Sequence, residues 1–398
     1  MTNTVILPGA TLGVMGGGQL GRMFAQAAQS LGYFTAVLDP DATSPAGLVA
    51  HYHIATDYLD EQGLAQLMQR CQAISTEFEN VPAGALVTLG AYRRVAPGAD
   101  AVAVCQDRAA EKAQFHRCGV PCAPFALVDS PERLAAVADD LLPGILKTAR
   151  LGYDGKGQVR VADRAGLAAA WQQLGNTPCV LEKRLPLLLE LSVVVARGAS
   201  GQSVTLPVQQ NLHRDGVLAV TQVPAPDASP AQQAAAIQAA TALAEAMDYV
   251  GVLCVEFFVL ADGSLVANEM APRPHNSGHW SVDGSDISQF ELQVRTLTGL
   301  PLVEPRQHSA AVMLNLLGDL WWRDGAEKNP PWDQLLALPG VHLHLYGKAS
   351  ARPGRKMGHL TVTAADAATA NTVALQAAAL LGLPAWPAGF SSMVVAPH

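Results

Sequence analysis

The segment from Thr11 to Leu38 constrains the fold more than any other stretch. An apolar run, Thr11 to Met15, meets the turn Gly16-Gly17-Gly18-Gln19-Leu20-Gly21, and a helical pattern from Gln19 to Leu31 leads to a second apolar run, Phe34 to Leu38. Strand, tight turn, helix and strand in that order read as the start of a parallel α/β domain. A further apolar run at Ala73 to Thr76 extends it into a parallel α/β sheet. Gly16, Gly18 and Gly21 satisfy GxGxxG, and Asp39 ends the next strand about 20 residues on, as in a dinucleotide fingerprint. The physical content is broader, because glycine-lined backbone at a helix N-terminus offers N–H groups to any anion. Alone, the turn leaves open NAD(P), another phosphate ligand or a merely tight connection.

With 398 residues the chain exceeds one compact core. Three units are expected: a Rossmann-like parallel α/β unit over residues 1–105, a central unit over 106–300, and a small β-rich unit over 301–398. The central unit begins at Asp107 with a helical stretch. Its strands are expected at Gly144 to Thr148, Gln158 to Val161, Cys179 to Glu182, Leu191 to Ala196 and Val252 to Val259, with a helix opened by Ser229-Pro230 and running to Met247. In the last unit Ala310 to Leu316, Val341 to Tyr346 and His359 to Val362 read as strands. A net charge of −8 argues against general nucleic-acid or anionic-membrane binding. The N-terminal residues lack a basic n-region, no apolar run is long enough to span a bilayer, and a cytoplasmic setting is expected. Cys71, Cys105, Cys118, Cys122, Cys179 and Cys254 are scattered without metal-ligand spacing, which suits buried thiols in a reducing compartment.

A second glycine-rich segment, Gly152-Tyr153-Asp154-Gly155-Lys156-Gly157-Gln158, follows the apolar strand that ends near Lys147. A Walker loop would place Ser or Thr after its Lys and then a helix. Here Gly157 follows Lys156 and an extended run comes next, so the segment reads as a hairpin loop folding over phosphates, with a plain surface hairpin as the alternative. The sharpest signal is the hairpin Val252 to Met270 around Asp262-Gly263. With that dipeptide at the turn centre, or with Ala261 to Ser264 as the loop, Glu256 lies opposite Glu269. Like charges so placed repel unless compensated, and a hard divalent cation resolves the conflict. A shared proton or a solvated sheet face would be the bland reading. Asn268 could add an oxygen ligand. Lys348, Arg352, Arg355 and Lys356 concentrate positive charge suited to a phosphate, although a basic run is often only a solvated loop.

Taken together these residues resemble the ATP-grasp superfamily and, within it, the family of 5-(carboxyamino)imidazole ribonucleotide synthetases. The landmarks are Gly16 to Arg22, Thr76-Glu77-Phe78-Glu79-Asn80, Asp107-Arg108, the Tyr153 to Gln158 loop, Asn211-Leu212-His213, Asn268-Glu269, Ala271 to Trp280 and Arg352 to His359. The resemblance implies an α/β and α+β fold of ATP-grasp architecture, with a Rossmann-like N-terminal domain and a small C-terminal domain. It implies ATP- and bicarbonate-dependent carboxylation of 5-aminoimidazole ribonucleotide through carboxyphosphate in purine biosynthesis, Mg²⁺ or alternatively Mn²⁺ as the metal, and a homodimer. Arg108, Lys147, the loop Gly152, Tyr153, Asp154, Gly155, Lys156, Gly157 and Gln158, Glu182, Lys183, Arg184, Leu185, Glu190, His213, Asn268 and Glu269 would hold ATP, with the metal on Glu256 and Glu269. Gly17, Gly18, Gln19, Leu20, Glu77, Tyr153, Asp154, Arg273, His275, Asn276, Ser277, Lys348, Arg352 and Arg355 would hold the imidazole nucleotide. Asp154 and His275 are the candidates for handling its amine proton, with Arg273 and Lys348 beside them as catalytic residues. Leu151, the run Leu187-Leu188-Leu189 and Gly318 to Trp332 depart from the family pattern. A dehydrogenase, a noncatalytic nucleotide sensor and a formate-using ATP-grasp ligase are the rival readings.

Overall fold

The computed structural model describes residues 4–152, 156–323 and 325–386. The N-terminal unit is a five-stranded, wholly parallel sheet in the order Tyr52–Ile54, Phe34–Leu38, Thr11–Met15, Ala73–Thr76, Arg94–Val95. Its strand order reverses beside Thr11–Met15, the place where open α/β sheets form a crevice. The helix Gln19–Ser30 follows that strand directly and buries Leu20, Met23, Phe24 and Ala28.

Two antiparallel sheets follow. One has four strands, Phe125–Val128, Cys179–Lys183, Gly144–Thr148 and Gln158–Val161. The other is larger and runs Leu265–Ala271, Gly251–Leu260, Leu187–Arg197, Gln209–Arg214, Val217–Val223, Ala310–Leu317, Lys356–Ala364, Val341–Leu345, with Ser203–Thr205 paired to Leu187–Arg197. The strands after residue 301 are therefore not a separate sheet: Val220 pairs with Leu314 and Val223 with Ala311, so hydrogen bonding is continuous from the central strands to the last ones.

The helix Pro230–Ala246 starts where Ser229-Pro230 predicts, with the Ser229 side chain and Gln232 forming a reciprocal cap. Its Ala236, Ala240 and Leu243 pack with Val193, Val195, Val255 and Phe257 of the large sheet. The apolar run at Leu187 is explained by pairing: Leu187 lies against Leu260 and Leu189 against Val259, with an irregularity between them, and Leu189 is buried in that core. No helix among the described residues is long and apolar enough to cross a membrane.

Candidate functional site

The expected hairpin exists, but its register is reached differently. Gly263 donates its N–H to the Leu260 carbonyl and Leu260 donates to the Ser264 carbonyl, so the loop is the three residues Ala261 to Gly263 and the register beside it is offset by one from a turn centred on Asp262-Gly263. Val259 faces Leu265 and Phe257 faces Ala267. The strand then shifts register between Glu256 and Phe257, leaving Asn268 as the extra residue, and Glu256 pairs with Glu269 after all. The turn assignment is corrected and the carboxylate pair stands, because the bulge cancels the one-residue offset of the turn.

The bulge is gripped by one helix. Arg108, Glu111 and Lys112, on one face of Arg108–Arg117 by their spacing of three and four, reach three consecutive residues of it. Arg108 Nη1 donates to Glu269 Oε2 at 2.9 Å, Lys112 Nζ to the Asn268 carbonyl at 2.7 Å, and the Met270 N–H donates to Glu111 Oε1 at 2.6 Å. Sequence reading missed Glu111 and Lys112, although their spacing from Arg108 was a usable signal. Lys112, fully buried, also lies 3.2 Å from Glu182, whose other oxygen accepts from Lys147 at 2.9 Å.

The electrostatics separate the two opposed carboxylates. Burial pushes Glu256 up to about 8, with Glu269 and Glu190 adding to the rise against His213. Burial would raise Glu269 as well, but Arg108 and Lys147 outweigh it and hold its carboxyl at about 2. Glu256 Oε1 and Asn268 Oδ1 are buried and have no hydrogen-bond partner among the described residues. Buried oxygen acceptors left this way are costly, and together with Glu269 they form the all-oxygen donor set that suits Mg²⁺.

These groups line one cleft of about 1500 Å³. Its wall includes Arg108, Lys147, Gly152, Lys156, Gln158, Glu182, Lys183, Arg184, Leu185, Glu190, His213, Asn268 and Glu269 on one side, and Gln19, Leu20, Glu77, Arg273, His275, Asn276 and Lys356 on the other. Tyr153, Asp154 and Gly155 lie outside the described residues. Gly157, with φ of 71°, has a backbone that a side chain would strain, and its carbonyl accepts from the Thr148 N–H at 2.8 Å. Glu190 and His213 hydrogen-bond each other; burial disfavours the imidazolium, but Glu190 prevails and holds His213 up at about 9. His275 behaves oppositely. Burial, then Arg273 and Lys356, keep its ring neutral, with Nδ1 2.8 Å from Ser277 Oγ and Nε2 3.7 Å from Glu256. Both side-chain polar atoms of Asn276 are buried and unpartnered among the described residues.

Several of the expected site residues have partners within the chain. Gly17 donates its N–H to Asp39 at 2.6 Å, and Gly18 and Gly21 donate to the two oxygens of Glu77 at 2.7 and 2.9 Å. A Cβ on Gly18 would stand 2.4 Å from Glu77, and one on Gly17 would stand 2.4 Å from Ser44. The glycines thus admit the chain's own carboxylates where a dinucleotide would put its pyrophosphate, which removes the dehydrogenase reading. The N–H groups of Gly17 and Gly18 are thereby engaged within the chain, while Gln19, Leu20 and Glu77 line the cleft. Ser277 is fully buried and bonds Ser192 and His275, so it supports the imidazole from behind. Of the basic cluster Lys348, Arg352, Arg355 and Lys356, Lys356 lines the cleft. Lys348 Nζ donates to the Lys356 carbonyl at 2.6 Å, and Arg355 donates to the Ser350 carbonyl at 2.8 Å. The Gly318 segment buttresses this loop: its N–H donates to the Arg355 carbonyl at 2.8 Å, and Asp319 accepts from the Gly354 N–H at 2.7 Å.

Three family models match in chain order: the ribonucleotide synthetase preATP-grasp domain over residues 9–106, the ATP-grasp domain over 113–290, and the phosphoribosylaminoimidazole carboxylase C-terminal domain over 311–372. The chain is 45% identical over 364 residues to an N5-carboxyaminoimidazole ribonucleotide synthase of Brucella melitensis, covering 91% of this chain and 98% of the relative. The crystal structure of N5-carboxyaminoimidazole synthetase from Staphylococcus aureus complexed with ADP superposes with a TM-score of 0.86 at 37% identity, covering 94% and 98% of the two chains. The Aspergillus clavatus synthase in complex with ADP and 5-aminoimidazole ribonucleotide gives a TM-score of 0.85 at 29% identity, covering 96% of this chain and 100% of that one.

Proposed function

The chain belongs to the N5-carboxyaminoimidazole ribonucleotide synthases, ATP-grasp ligases of purine biosynthesis, and from that premise we propose how its own residues divide the work. ATP lies in the half of the cleft lined by Lys147, Glu182 and the Gly152 to Gln158 loop, with Glu190 and His213 at its ribose. The imidazole nucleotide lies in the other half, against Gln19, Leu20, Arg273, His275 and Asn276, with its phosphate toward Lys356 at the cleft wall and the Lys348 and Arg355 side chains of the same basic cluster behind it. Bicarbonate is the carboxyl source. The observation that carries this reading is the Glu256/Glu269 pair with the unpartnered Glu256 Oε1 and Asn268 Oδ1 beside the Lys147–Glu182 ion pair.

Glu256, Glu269 and Asn268 would hold Mg²⁺, which supplies charge neutralisation at the transferring phosphoryl group. Lys147, now paired with Glu182, is the cation nearest to hand for the phosphates, and Arg108 holds Glu269 ionised and in place. A bicarbonate oxygen attacks the γ-phosphorus and ADP leaves, giving carboxyphosphate. The exocyclic amine then attacks the carboxyl carbon, either of carboxyphosphate itself or of CO₂ released from it; on both routes the C–O bond to phosphorus-bound oxygen breaks, phosphate departs and the nitrogen sheds one proton. His275, held neutral by burial and facing Glu256, is the acceptor on the described part of the wall. Asp154 stays its alternative. A homodimer in the cytoplasm completes the reading, supported by family resemblance.

The test is ADP release with each substrate withheld in turn. Release that requires both bicarbonate and 5-aminoimidazole ribonucleotide for full rate, with formate unable to replace bicarbonate, is the expected result. Formate-driven turnover would reassign the chain to the formate-using ligases.

A further inference from the structure

On the strand Val341–Leu345, His342 and His344 are two residues apart and so project from the same face of the sheet. His344 lies directly opposite His359 of Lys356–Ala364, and the two rings stack with centroids 4.5 Å apart at 13°. Asp283, on the short helix Ser281–Gly284, faces the pair from the other side. Its Oδ2 is 2.8 Å from His344 Nε2, and its Oδ1 is 3.7 Å from His342 Nδ1. One ligand atom each from Asp283, His344 and His359 lie within 4.8 Å of one another. His359 is fully buried; its Nδ1 meets the Tyr346 hydroxyl at 3.0 Å, while Nε2 has no partner among the described residues. None of these residues has a part in the reaction derived above.

A buried ring nitrogen with nothing to bond is costly. Two features keep a proton from solving the problem. His359 is held far below the ordinary imidazole range by burial, with His279 and His344 adding to it, so the ring is neutral, and in the tautomer whose Nδ1–H donates to Tyr346 the Nε2 lone pair is available to an ion. Its engaged Nδ1 also matches the usual arrangement of a metal-ligating histidine, whose second nitrogen is fixed by a hydrogen bond. We propose that Asp283, His344 and His359 form a second metal site, selective for a borderline divalent ion of the Zn²⁺ class. Two imidazoles and one carboxylate suit Zn²⁺, whereas the all-oxygen set at Glu256, Asn268 and Glu269 suits Mg²⁺.

The geometry leaves a rearrangement to make: a ring nitrogen binds a metal in the plane of its ring, so the stacked His344 ring must turn out of its near-parallel stack on His359 before both can face one ion. Tetrahedral Zn²⁺ with bonds of ~2.0–2.1 Å brings its ligand atoms to ~3.4 Å apart. His359 is fixed by burial and by Tyr346, so the adjustment falls on His344 and Asp283, whose side chains are 30% and 11% exposed. A crevice of about 190 Å³ lined by Arg22, Gln26, His344 and Tyr346 opens beside His344. The ion would staple two strands of the large sheet to the helix that follows Arg273 to Trp280. That ties one wall of the substrate cleft to the strand carrying Lys356.

The experiment uses the full-length, untagged protein stripped with a chelator and kept in excess Mg²⁺, which occupies the carboxylate site. Co²⁺ is titrated in as a spectroscopic stand-in and then displaced with Zn²⁺. One Co²⁺ per chain with the intense visible bands of low coordination number, displaced by one Zn²⁺, is expected. Binding should weaken by ~100-fold or more in His344→Gln and in Asp283→Asn, beyond the ~10–100-fold that loss of a supporting group costs. Glu256→Gln should leave it unchanged. Both ligand variants sit on partly exposed side chains, and circular dichroism checks their fold. Absence of a stoichiometric ion, or bands that persist in both correctly folded variants, overturns the site.

Discussion

At the N-terminal glycine turn, every donor that could cradle an anion at Gly17, Gly18 and Gly21 is already bonded to Asp39 or Glu77. At the Glu256/Glu269 hairpin the opposite holds: Glu256 Oε1 and Asn268 Oδ1 are buried with no partner among the described residues. Both regions bury carboxylates against backbone that the sequence marks as special. In the first, a helix N-terminus stabilises the negative charge, so the turn is complete within the chain. In the second, two carboxylates face each other and only one has a cation, Arg108, at hydrogen-bond distance. A motif shaped for a ligand can thus be filled from within, and unsatisfied polar atoms are the better guide to where a ligand belongs.

The sharpest way to break this contrast is Glu269→Gln. It removes the charge that Arg108 holds ionised and should lower ATP turnover by roughly 10²–10³-fold, the scale of losing a group that stabilises transition-state charge. Steady-state ADP release measures it, and full activity would cancel the metal assignment. Arg355→Ala should come next. The KM for the imidazole nucleotide is expected to rise by ~10–100-fold, as when a charged phosphate contact worth about 1.5–3 kcal/mol is lost, while the KM for ATP changes little. Equal effects on both would reject the phosphate role.

A pH series tests the same pair without mutation. Glu256 stands at about 8 in the folded chain and must lose its proton to take Mg²⁺. Apparent Mg²⁺ affinity should therefore climb by up to ~10-fold per pH unit below 8 and level off above it. The sign for stability is the reverse. A carboxyl raised by burial loses stabilisation as pH rises from its unfolded value of about 4.3 through 8, so apo protein should melt lower at alkaline pH while Mg²⁺ offsets the loss. A flat Mg²⁺ affinity would mean that Glu256 is ionised throughout.

Much of the architecture was legible because its signals are local. Thr11–Met15, Phe34–Leu38, Ala73–Thr76 and Gly144–Thr148 are apolar runs bounded by turn residues, and the structure ends them at the predicted positions. The hairpin of Gln209–Arg214 and Val217–Val223 was not legible. Gln209, Gln210 and Asn211 are buried, yet they are polar, and they are satisfied by Ser192, Asp227 and Thr221 from other strands or loops. No periodicity records such a network. The bonding of Glu77 to the glycine turn escaped for a similar reason, since its partners Gly18 and Gly21 are 59 and 56 residues away. The Glu256/Glu269 pairing was legible only through an error that a bulge at Asn268 cancelled. Hairpin composition fixes the turn, but bulges further along are set by tertiary partners, here Arg108, Glu111 and Lys112.

The smallest expected effect decides the most about the glycine turn. Gly18 has φ of −74°, which any residue adopts, so Gly18→Ala brings no backbone strain. Its added Cβ meets Glu77 at 2.4 Å and must push that carboxylate off the start of the helix. Two charge-assisted hydrogen bonds weaken together, at a cost of about 2 kcal/mol. If the turn is complete within the chain, thermal melting falls while the KM for the imidazole nucleotide moves by less than the Arg355→Ala value. Should the turn instead bind that nucleotide through Gly18, the same substitution would raise its KM sharply with melting little changed. The split between melting and KM therefore reports which anion the turn was built to hold, the Glu77 carboxylate or the substrate's phosphate.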